Sequence, residues 1–260
     1  MTDDGAQALV AARLPGAAAL GLVAPPSAAV VPATLLADAD WTAEVLTARA
    51  LRQRTDDRRV LATVWWYSVS SVLLTPALAG LVTGVPLSAR LAGTRVHLLA
   101  GDTPVAATTA SGHGHDLAVD LRTTIAGVVA AVAEAGRLRE RPLWAIATDS
   151  LANRLLAVGR ALDDVPAATA LAAPLAAAVG APLPAPRYVD VAAPGRTVRF
   201  TRRVSCCLLP AVPAAARAAV RVLPAPRPGV PAGPVGGHRR TDGLSCGRSR
   251  RGQAVARRAR

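Results

Sequence analysis

Two adjacent cysteines, Cys206 and Cys207, are the residues of this chain best suited to chemistry. Consecutive Cα atoms lie ~3.8 Å apart, closer than the ~4.4–6.8 Å of a relaxed disulfide, so the pair is not expected to form a bridge with itself. Arg202 and Arg203 precede the pair, and their positive charge favours thiolates. Two neighbouring thiolates suit a soft metal ion or an iron-sulfur cluster, while a pair of small buried apolar residues is the alternative.

A third cysteine, Cys246, lies far down the chain and is the remaining candidate thiolate ligand. An iron-sulfur cluster of the [2Fe-2S] type wants four ligands, so three cysteines leave the set one short. Three cysteines are also too few for a disulfide framework in a chain of this length, which favours a location in the reducing cytoplasm. The opening residues 1–4 place acids where a secretory signal needs positive charge. We therefore expect a cytoplasmic protein, with peripheral attachment to the inner membrane as the alternative.

The turn sequence SGHGHD brings His113 and His115 close to Asp116 and is the second place where a metal could bind. Two histidines between glycines are more typical of a solvated hairpin tip, which is the interpretation that we favour. His97, in an apolar run, is expected to be structural. The chain has no Gly-rich phosphate loop, no G-x-S-x-G and no HExxH motif, so nothing indicates a hydrolase or a nucleotide-binding protein.

Charge is distributed unevenly along the chain. Residues 1–194 carry 15 arginines against 16 acids, whereas residues 195–260 carry 15 arginines against the single acid Asp242. The nearly neutral body argues against a nucleic acid or a membrane as the partner. Lysine is absent, and the abundance of Ala, Gly, Pro and Arg indicates a GC-rich gene.

The longest uncharged stretch runs from residue 60 to residue 89. Its length would allow it to cross a bilayer, which takes ~20 apolar residues. Because polar residues and Pro76 interrupt the apolar run, we instead predict a buried helix that stops near Pro76, followed by a second short helix. The adjacent aromatic residues Trp65, Trp66 and Tyr67 could fill the core of such a soluble domain.

The remaining pattern predicts an α+β fold that is mostly helical with a small antiparallel sheet. Three β-compatible runs at 94–100, 104–110 and 116–122 are separated by turn sequences, which predicts a three-stranded meander. Four further helices are expected: from Trp41 with Asp40 as N-cap, from 123 to 139, after Pro142 with Asp149 on the polar face, and from 164 to 179.

Composition divides the chain into three segments. Residues 1–37, rich in Ala, Pro and Gly, are expected to be loosely ordered, and residues 38–209 to form one folded domain. Residues 210–260 have no sustained periodicity, almost no acids and many Pro, Gly and Arg residues. Such a segment cannot bury enough apolar surface to offset the entropy lost on ordering, so we predict a disordered basic tail.

The uncharged helix and the cysteine pair together resemble a known family. The sequences WWYSVSSVLLTPALAGLV and FTRRVSCCL are similar to the FhuF-like ferric iron reductases, in particular their actinobacterial (2Fe-2S)-binding branch, over roughly residues 38–209. In that family a Cys-Cys pair, followed about ten residues later by Cys-x-x-Cys, holds the cluster. Cys206 and Cys207 match the first half of this motif. No cysteine lies between Leu208 and Ser245 to match the second half.

The resemblance implies reduction of ferric iron that is held by a siderophore. Ferric iron binds hard oxygen donors far more tightly than ferrous iron does, so one electron from a thiolate-bound cluster would release the metal. The implied partners are a ferric siderophore and a flavin or ferredoxin electron donor. Arg202 and Arg203 would raise the cluster potential and attract an anionic ferric complex or an acidic donor.

The aromatic cluster of Trp65, Trp66 and Tyr67 would then line the chelate pocket, with core packing as the alternative role. Two other functions stay open: a siderophore-binding or accessory protein without a working cluster, and a membrane-attached protein that uses residues 60–89 and the basic tail.

The amino-acid composition changes after Cys207. This change leads to a further hypothesis, that the reading frame is wrong there through an error in the gene or in its sequencing. Shifted codons of a GC-rich gene spell Ala, Pro, Gly and Arg, which is the composition found there. Acids vanish apart from Asp242, and the family resemblance stops near Leu209. A genuine extension that binds nucleic acid or a membrane is the alternative.

Overall fold

The computed structural model describes residues 3–100 and 102–205, which form helices and two small antiparallel sheets. The helices are α1 (Asp3–Arg13), α2 (Ala17–Leu20), α3 (Ala39–Gln53), α4 (Arg58–Thr83), α5 (Leu117–Gly136), α6 (Glu140–Ala161), α7 (Val165–Ala170) and α8 (Ala172–Val179), with 3-10 turns at Ala33–Ala37 and Leu91–Gly93. The strands are β1 (Ala29–Pro32), β2 (Thr94–Leu99), β3 (Thr103–Thr109), β4 (Tyr188–Ala193) and β5 (Arg196–Thr201). The predicted mostly helical α+β fold is confirmed. All three cysteines and the predicted tail at 210–260 lie outside the described residues.

Helix α4 runs through the core because it carries no charged side chain after Arg59. Asp57 caps its N-terminus by accepting hydrogen bonds from the backbone N–H groups of Arg59 and Val60. Helices α3, α5 and α6 and strand β3 pack around it. Helix α4 is therefore the central element, and the positions of these neighbouring helices and of β3 are set by their packing against it.

Two tryptophans of α4 occupy the core, which is one of the two roles predicted for them. Trp65 and Trp66 are both fully buried. The Trp66 indole Nε1 donates a hydrogen bond of 2.8 Å to the Leu143 carbonyl of α6. The Trp65 ring lies against Trp41 of α3, with ring centroids 6.2 Å apart. The pair therefore fixes α4 to a neighbouring helix on either side.

Pro76 lies inside α4 and does not end it, so the prediction of a break there is wrong. A proline lacks the backbone donor and crowds the preceding turn, which disfavours a helix interior. Here every residue from 73 to 80 is buried. Burial of this face outweighs the local cost, and the helix continues to Gly84, which ends it with a φ of 72°.

Within the described part of the chain, α4 is the one helix long and apolar enough to cross a membrane by length and composition. In its most apolar window, 61% of the helix is buried inside the protein. This burial is what a core helix requires, and it favours that interpretation over a membrane span.

The larger sheet has the strand order β1-β2-β3 and is antiparallel throughout. Strands β2 and β3 lie where they were predicted, but the third strand is β1 and not residues 116–122. Those residues begin α5, because Asp116 accepts hydrogen bonds from the backbone N–H groups of Ala118 and Val119 at 2.9 and 3.1 Å. This N-cap decides between helix and strand, although Leu117, Val119 and Leu121 alternate as in a strand.

Three other helix boundaries differ from the predicted ones. Helix α3 is capped by Asp38 rather than Asp40, since the Asp38 carboxylate accepts from the Trp41 backbone N–H at 2.9 Å. Helix α6 begins at Glu140 and includes Pro142, because a proline is tolerated in the first turn. The helix predicted over 164–179 is two helices, α7 and α8.

Strands β4 and β5 form a hairpin that the sequence analysis did not predict. Gly195, with a φ of 73°, lies in the turn that joins them. Arg199 and Asp190, opposite each other in the register, form a bidentate ion pair at 2.8 and 2.7 Å. The Tyr188 hydroxyl donates to the Ala152 carbonyl of α6 at 3.1 Å. The hairpin is thus held on α6, and its second strand ends at Thr201, shortly before Cys206 in the sequence.

The described part of the N-terminal segment contributes to a second apolar cluster with α4 and α6. Gln7 of α1 is buried, donates to the Leu22 and Ala107 carbonyls at 2.9 Å and accepts from the Thr109 backbone N–H at 2.7 Å. These bonds connect α1 to strand β3. The loose ordering of residues 1–37 stays a prediction.

Candidate functional site

One buried carboxylate ties the segment before Cys206 to helix α6. Asp149 is 1% exposed. Its carboxylate accepts hydrogen bonds from the Val204 backbone N–H at 2.9 Å, from the Ser205 backbone N–H at 3.0 Å and from the Ser205 hydroxyl at 2.5 Å. The Arg203 Nε lies 3.6 Å from the same carboxylate. We call these four residues, Asp149 with Arg203, Val204 and Ser205, the Asp149 anchor.

The Asp149 anchor compensates a charge that would otherwise be costly to bury. An unpaired carboxylate loses several kcal/mol of hydration on burial, so buried carboxylates need donors and a countercharge. Asp149 has both, because it accepts three hydrogen bonds and lies next to a guanidinium. Ser205 directly precedes Cys206 in the chain. The anchor therefore holds the residue that precedes the cysteine pair on α6.

Tyr67 connects the Asp149 anchor to helix α4. The Arg203 guanidinium lies over the Tyr67 ring, 4.7 Å from its centroid, in a cation–π contact. Tyr67 is half-buried, so it lies at the boundary between the core and this polar group of residues.

Polar contacts inside the α4–α6 interface keep the two helices in register. The buried hydroxyls of Ser70 and Ser150 are hydrogen-bonded at 2.7 Å. The bond from Trp66 to the Leu143 carbonyl is a second polar contact between the same two helices. Asp149 is the neighbour of Ser150 in α6, so the position of the anchor follows from the same register.

A cavity of about 530 Å³ lies where α2, β3, α4 and α6 meet. Most of its wall is apolar and comes from residues 18–26 and from residues on β2, β3 and α4. Its polar side chains include two serines of α4, one threonine of β3 and two arginines, namely Ser68, Ser71, Thr103, Arg49 and Arg154. Among the described residues that line it there is no aspartate or glutamate, so the charge of the wall is positive.

Arg49 is the first of the two cavity arginines and is itself buried. Its Nη1 donates to the Asp102 carbonyl at 2.9 Å, and its guanidinium lies 5.3 Å from the centroid of the Trp65 ring. Burial, assisted by the charge of Arg52 and opposed by that of Asp102, lowers the pKa of Arg49 to about 10. The side chain remains a cation at neutral pH.

Arg154 is the second cavity arginine and differs from Arg49 in its partners. Its Nε is inaccessible to solvent and has no hydrogen-bond acceptor among residues 3–100 and 102–205. Within the same residues no carboxylate forms an ion pair with it. Burial lowers the pKa of Arg154, and the neighbouring Tyr67 opposes the shift.

The predicted site residues are only partly brought together. Arg203 and Tyr67 are in contact, and both lie beside the Asp149 anchor. Arg202 is exposed, and its backbone N–H donates to the Arg187 carbonyl at 2.8 Å. Trp65 and Trp66 lie in the core and do not line the cavity. The candidate metal ligands Cys206, Cys207 and Cys246 lie outside the described residues.

Sequence reasoning missed two residues of this site. Asp149 had been assigned to a polar helix face and is buried instead. Arg154, five residues further along α6, was not singled out. The one available signal was an acid and an arginine in the middle of an otherwise apolar stretch of helix, which periodicity alone cannot place inside or outside.

The histidine turn is exposed to solvent as predicted, but it joins β3 to α5 and is not the tip of a hairpin. His113 and His115 are exposed, and the His115 Nδ1 lies 4.0 Å from Asp120. In the part of the chain that the structure describes, no group of three or more His, Cys, Asp or Glu residues could hold a metal ion. His97 bonds Thr108 across the sheet at 3.0 Å.

Comparison of the chain with protein-family models, with curated proteins and with solved structures found no match in any of the three.

Proposed function

We propose that this chain is a protein of the FhuF-like ferric-siderophore reductase type, with Cys206 and Cys207 as thiolate metal ligands. The observation that supports it is the Asp149 anchor, which binds the two residues directly before the cysteine pair to helix α6. Burying a carboxylate costs hydration free energy, which the three hydrogen bonds have to offset. Such an arrangement is expected where the segment that donates those bonds has to be held in place. Metal ligands need such a fixed starting point.

The substrate in this proposal is ferric iron in a siderophore complex. Reduction by one electron weakens the bonds between iron and hard oxygen donors, so that the metal is released. Arg202 is exposed beside the anchored segment and adds positive charge there. This charge would attract an anionic ferric complex or an acidic electron donor of the flavin or ferredoxin kind. We propose a cytoplasmic location for this reaction.

The ligand set of the implied [2Fe-2S] cluster is incomplete in this chain. Four ligands are needed, and the chain contains three cysteines, of which Cys246 is remote in sequence. The described residues offer no alternative group of His, Asp or Glu ligands. The residues present therefore do not fit a cluster held by one copy of the chain, and we derive no electron-transfer step through it.

The shortfall of one ligand favours a second candidate function, a siderophore-binding or accessory protein without a cluster. Iron and sulfide content separates the two candidates. We expect anaerobically purified protein to contain well below two irons and two acid-labile sulfides per chain, because only Cys206 and Cys207 match the cysteine motif of the cluster. Two irons and two sulfides, with a rhombic EPR signal after reduction, would make the chain a cluster protein as it stands. In that case Cys206→Ser or Cys207→Ser would abolish the signal, and Cys246→Ser would reveal the role of the third thiol.

The reading-frame hypothesis explains the missing ligands and is tested on the nucleotide sequence. We predict that one of the two other forward frames, read from the codon of Leu208 onward, encodes a Cys-x-x-Cys pair shortly downstream. That pair would restore four thiolates. If neither frame encodes it and resequencing confirms the present frame, the hypothesis is refuted and Cys206 and Cys207 need another role.

A further inference from the structure

We infer that the cavity lined by Arg49 and Arg154 is a binding site for a small organic carboxylate with an apolar body, and that Arg154 pairs with the carboxylate. The inference is drawn from the cavity alone and holds whether or not the chain handles ferric siderophores.

The first argument is the electrostatic state of Arg154. A guanidinium has five N–H donors, and a buried one normally finds a carboxylate or several carbonyls. The Arg154 Nε is buried and has no acceptor in the described ranges, and no described carboxylate forms an ion pair with it. The terminal guanidinium nitrogens of Arg154, unlike its Nε, are accessible, and the side chain lines the cavity, so an anion that enters the cavity can pair with them.

The second argument is that the rest of the wall increases the preference for an anion. Arg49 lines the same cavity and is a second cation of its wall, and the described lining contains no aspartate or glutamate. Asp102, whose charge acts on Arg49, is not one of the lining residues. Ser71 also lines the cavity, and its hydroxyl can donate to a carboxylate oxygen. A carboxylate is preferred to a larger inorganic anion because the wall around these groups is mostly apolar and would not solvate a fully hydrated ion.

The third argument is the shape and size of the apolar part. Leu20, Val23, Val72, Leu99 and Val105 are among the side chains of the wall. A volume of about 530 Å³ is within the range of ~300–1,000 Å³ that is usual for small-ligand sites. Apolar surface of this kind binds a hydrocarbon chain or ring by removing it from water. The cavity therefore suits a medium-chain or aromatic carboxylate.

The test uses the full chain, isothermal titration calorimetry, and octanoate and its methyl ester as probes. We expect octanoate to bind at one site per chain and the uncharged methyl ester to bind at least tenfold more weakly, because only the acid pairs with Arg154. Arg154→Met removes the charge and keeps an apolar side chain of similar length, and it should weaken octanoate binding at least tenfold. Arg154→Lys should retain part of the affinity. Arg141→Met, at an exposed position of the same helix, is the matched control and should bind as the unchanged protein does.

Three results would overturn the inference: no octanoate binding to the unchanged chain, equal binding of acid and ester, or equal affinity of the Arg154→Met and Arg141→Met variants. The comparison of acid and ester needs no variant, so it decides the matter even if Arg154→Met fails to fold. Neither probe contains iron, and a negative result leaves the proposed ferric-siderophore function to be judged by its own experiments.

Discussion

Replacement of Asp149 by alanine is expected to lower the free energy of unfolding by about 2–4 kcal/mol. A hydrogen bond to a charged group contributes roughly 1.5–3 kcal/mol, and the contributions are not additive when one acceptor serves several donors. Alanine would leave the backbone N–H groups of Val204 and Ser205 without their acceptor and would remove the carboxylate that lies 3.6 Å from the Arg203 Nε. Urea denaturation followed by far-UV circular dichroism measures the change.

Two further variants separate the Asp149 anchor from a general loss of charge. Ser205→Ala removes one of the three hydrogen bonds and should cost about 1 kcal/mol. Asp56→Ala, at an exposed aspartate, should change the free energy of unfolding by less than about 0.5 kcal/mol. If Asp149→Ala is as stable as Asp56→Ala, the segment before Cys206 is not held by this carboxylate.

Replacement of Trp66 by alanine is expected to have the largest effect on stability, a loss of about 3–5 kcal/mol in the free energy of unfolding. The side chain is fully buried between α4 and α6, so its removal leaves a cavity in the core. It also leaves the Leu143 carbonyl without the indole donor. Chemical denaturation monitored by circular dichroism, rather than by tryptophan fluorescence, avoids a change of signal caused by the substitution itself.

The controls for Trp66 distinguish lost volume from the lost hydrogen bond. Trp66→Phe keeps most of the apolar volume and should cost clearly less than alanine does. Leu51→Ala, at a residue that is 86% exposed, should have almost no effect. A loss below about 1 kcal/mol for Trp66→Ala would mean that α4 and α6 do not pack as described.

The sequence was sufficient for those parts of the fold that depend on local pattern. The uncharged run at 60–89 predicted a buried helix, and α4 occupies most of it. Strands β2 and β3 were found from turn residues and β-branched runs. These elements are visible in a sequence because a few neighbouring residues determine them.

The errors arose where a distant contact or a single cap decided the outcome. Strand β1 pairs with β2, which lies far along the chain, and no local signal marks that pairing. The run at 116–122 alternates as a strand does, yet the Asp116 cap makes it helical. Pro76 was expected to break α4, but tertiary burial on both sides of it maintains the helix.

The sequence indicated some of the residues of the candidate site, but it did not show which of them contact each other. Arg203 and Tyr67 were singled out separately, and only the structure joins them through a cation–π contact. Asp149 and Arg154 were missed because burial of a charged residue depends on which elements pack over its helix. That information is spread over α4, α6 and the segment after β5.

The binding of ferric siderophores tests the central claim most directly. The full chain would be titrated with the ferric and the metal-free forms of a hydroxamate, a catecholate and a citrate-type siderophore, with isothermal titration calorimetry as the measurement. We predict saturable binding of at least one ferric complex with a Kd of about 10 μM or tighter, and binding of its metal-free form at least about tenfold weaker. If folded protein binds none of the three ferric complexes more tightly than about 1 mM, or binds both forms equally, a ferric-siderophore function for this chain is contradicted.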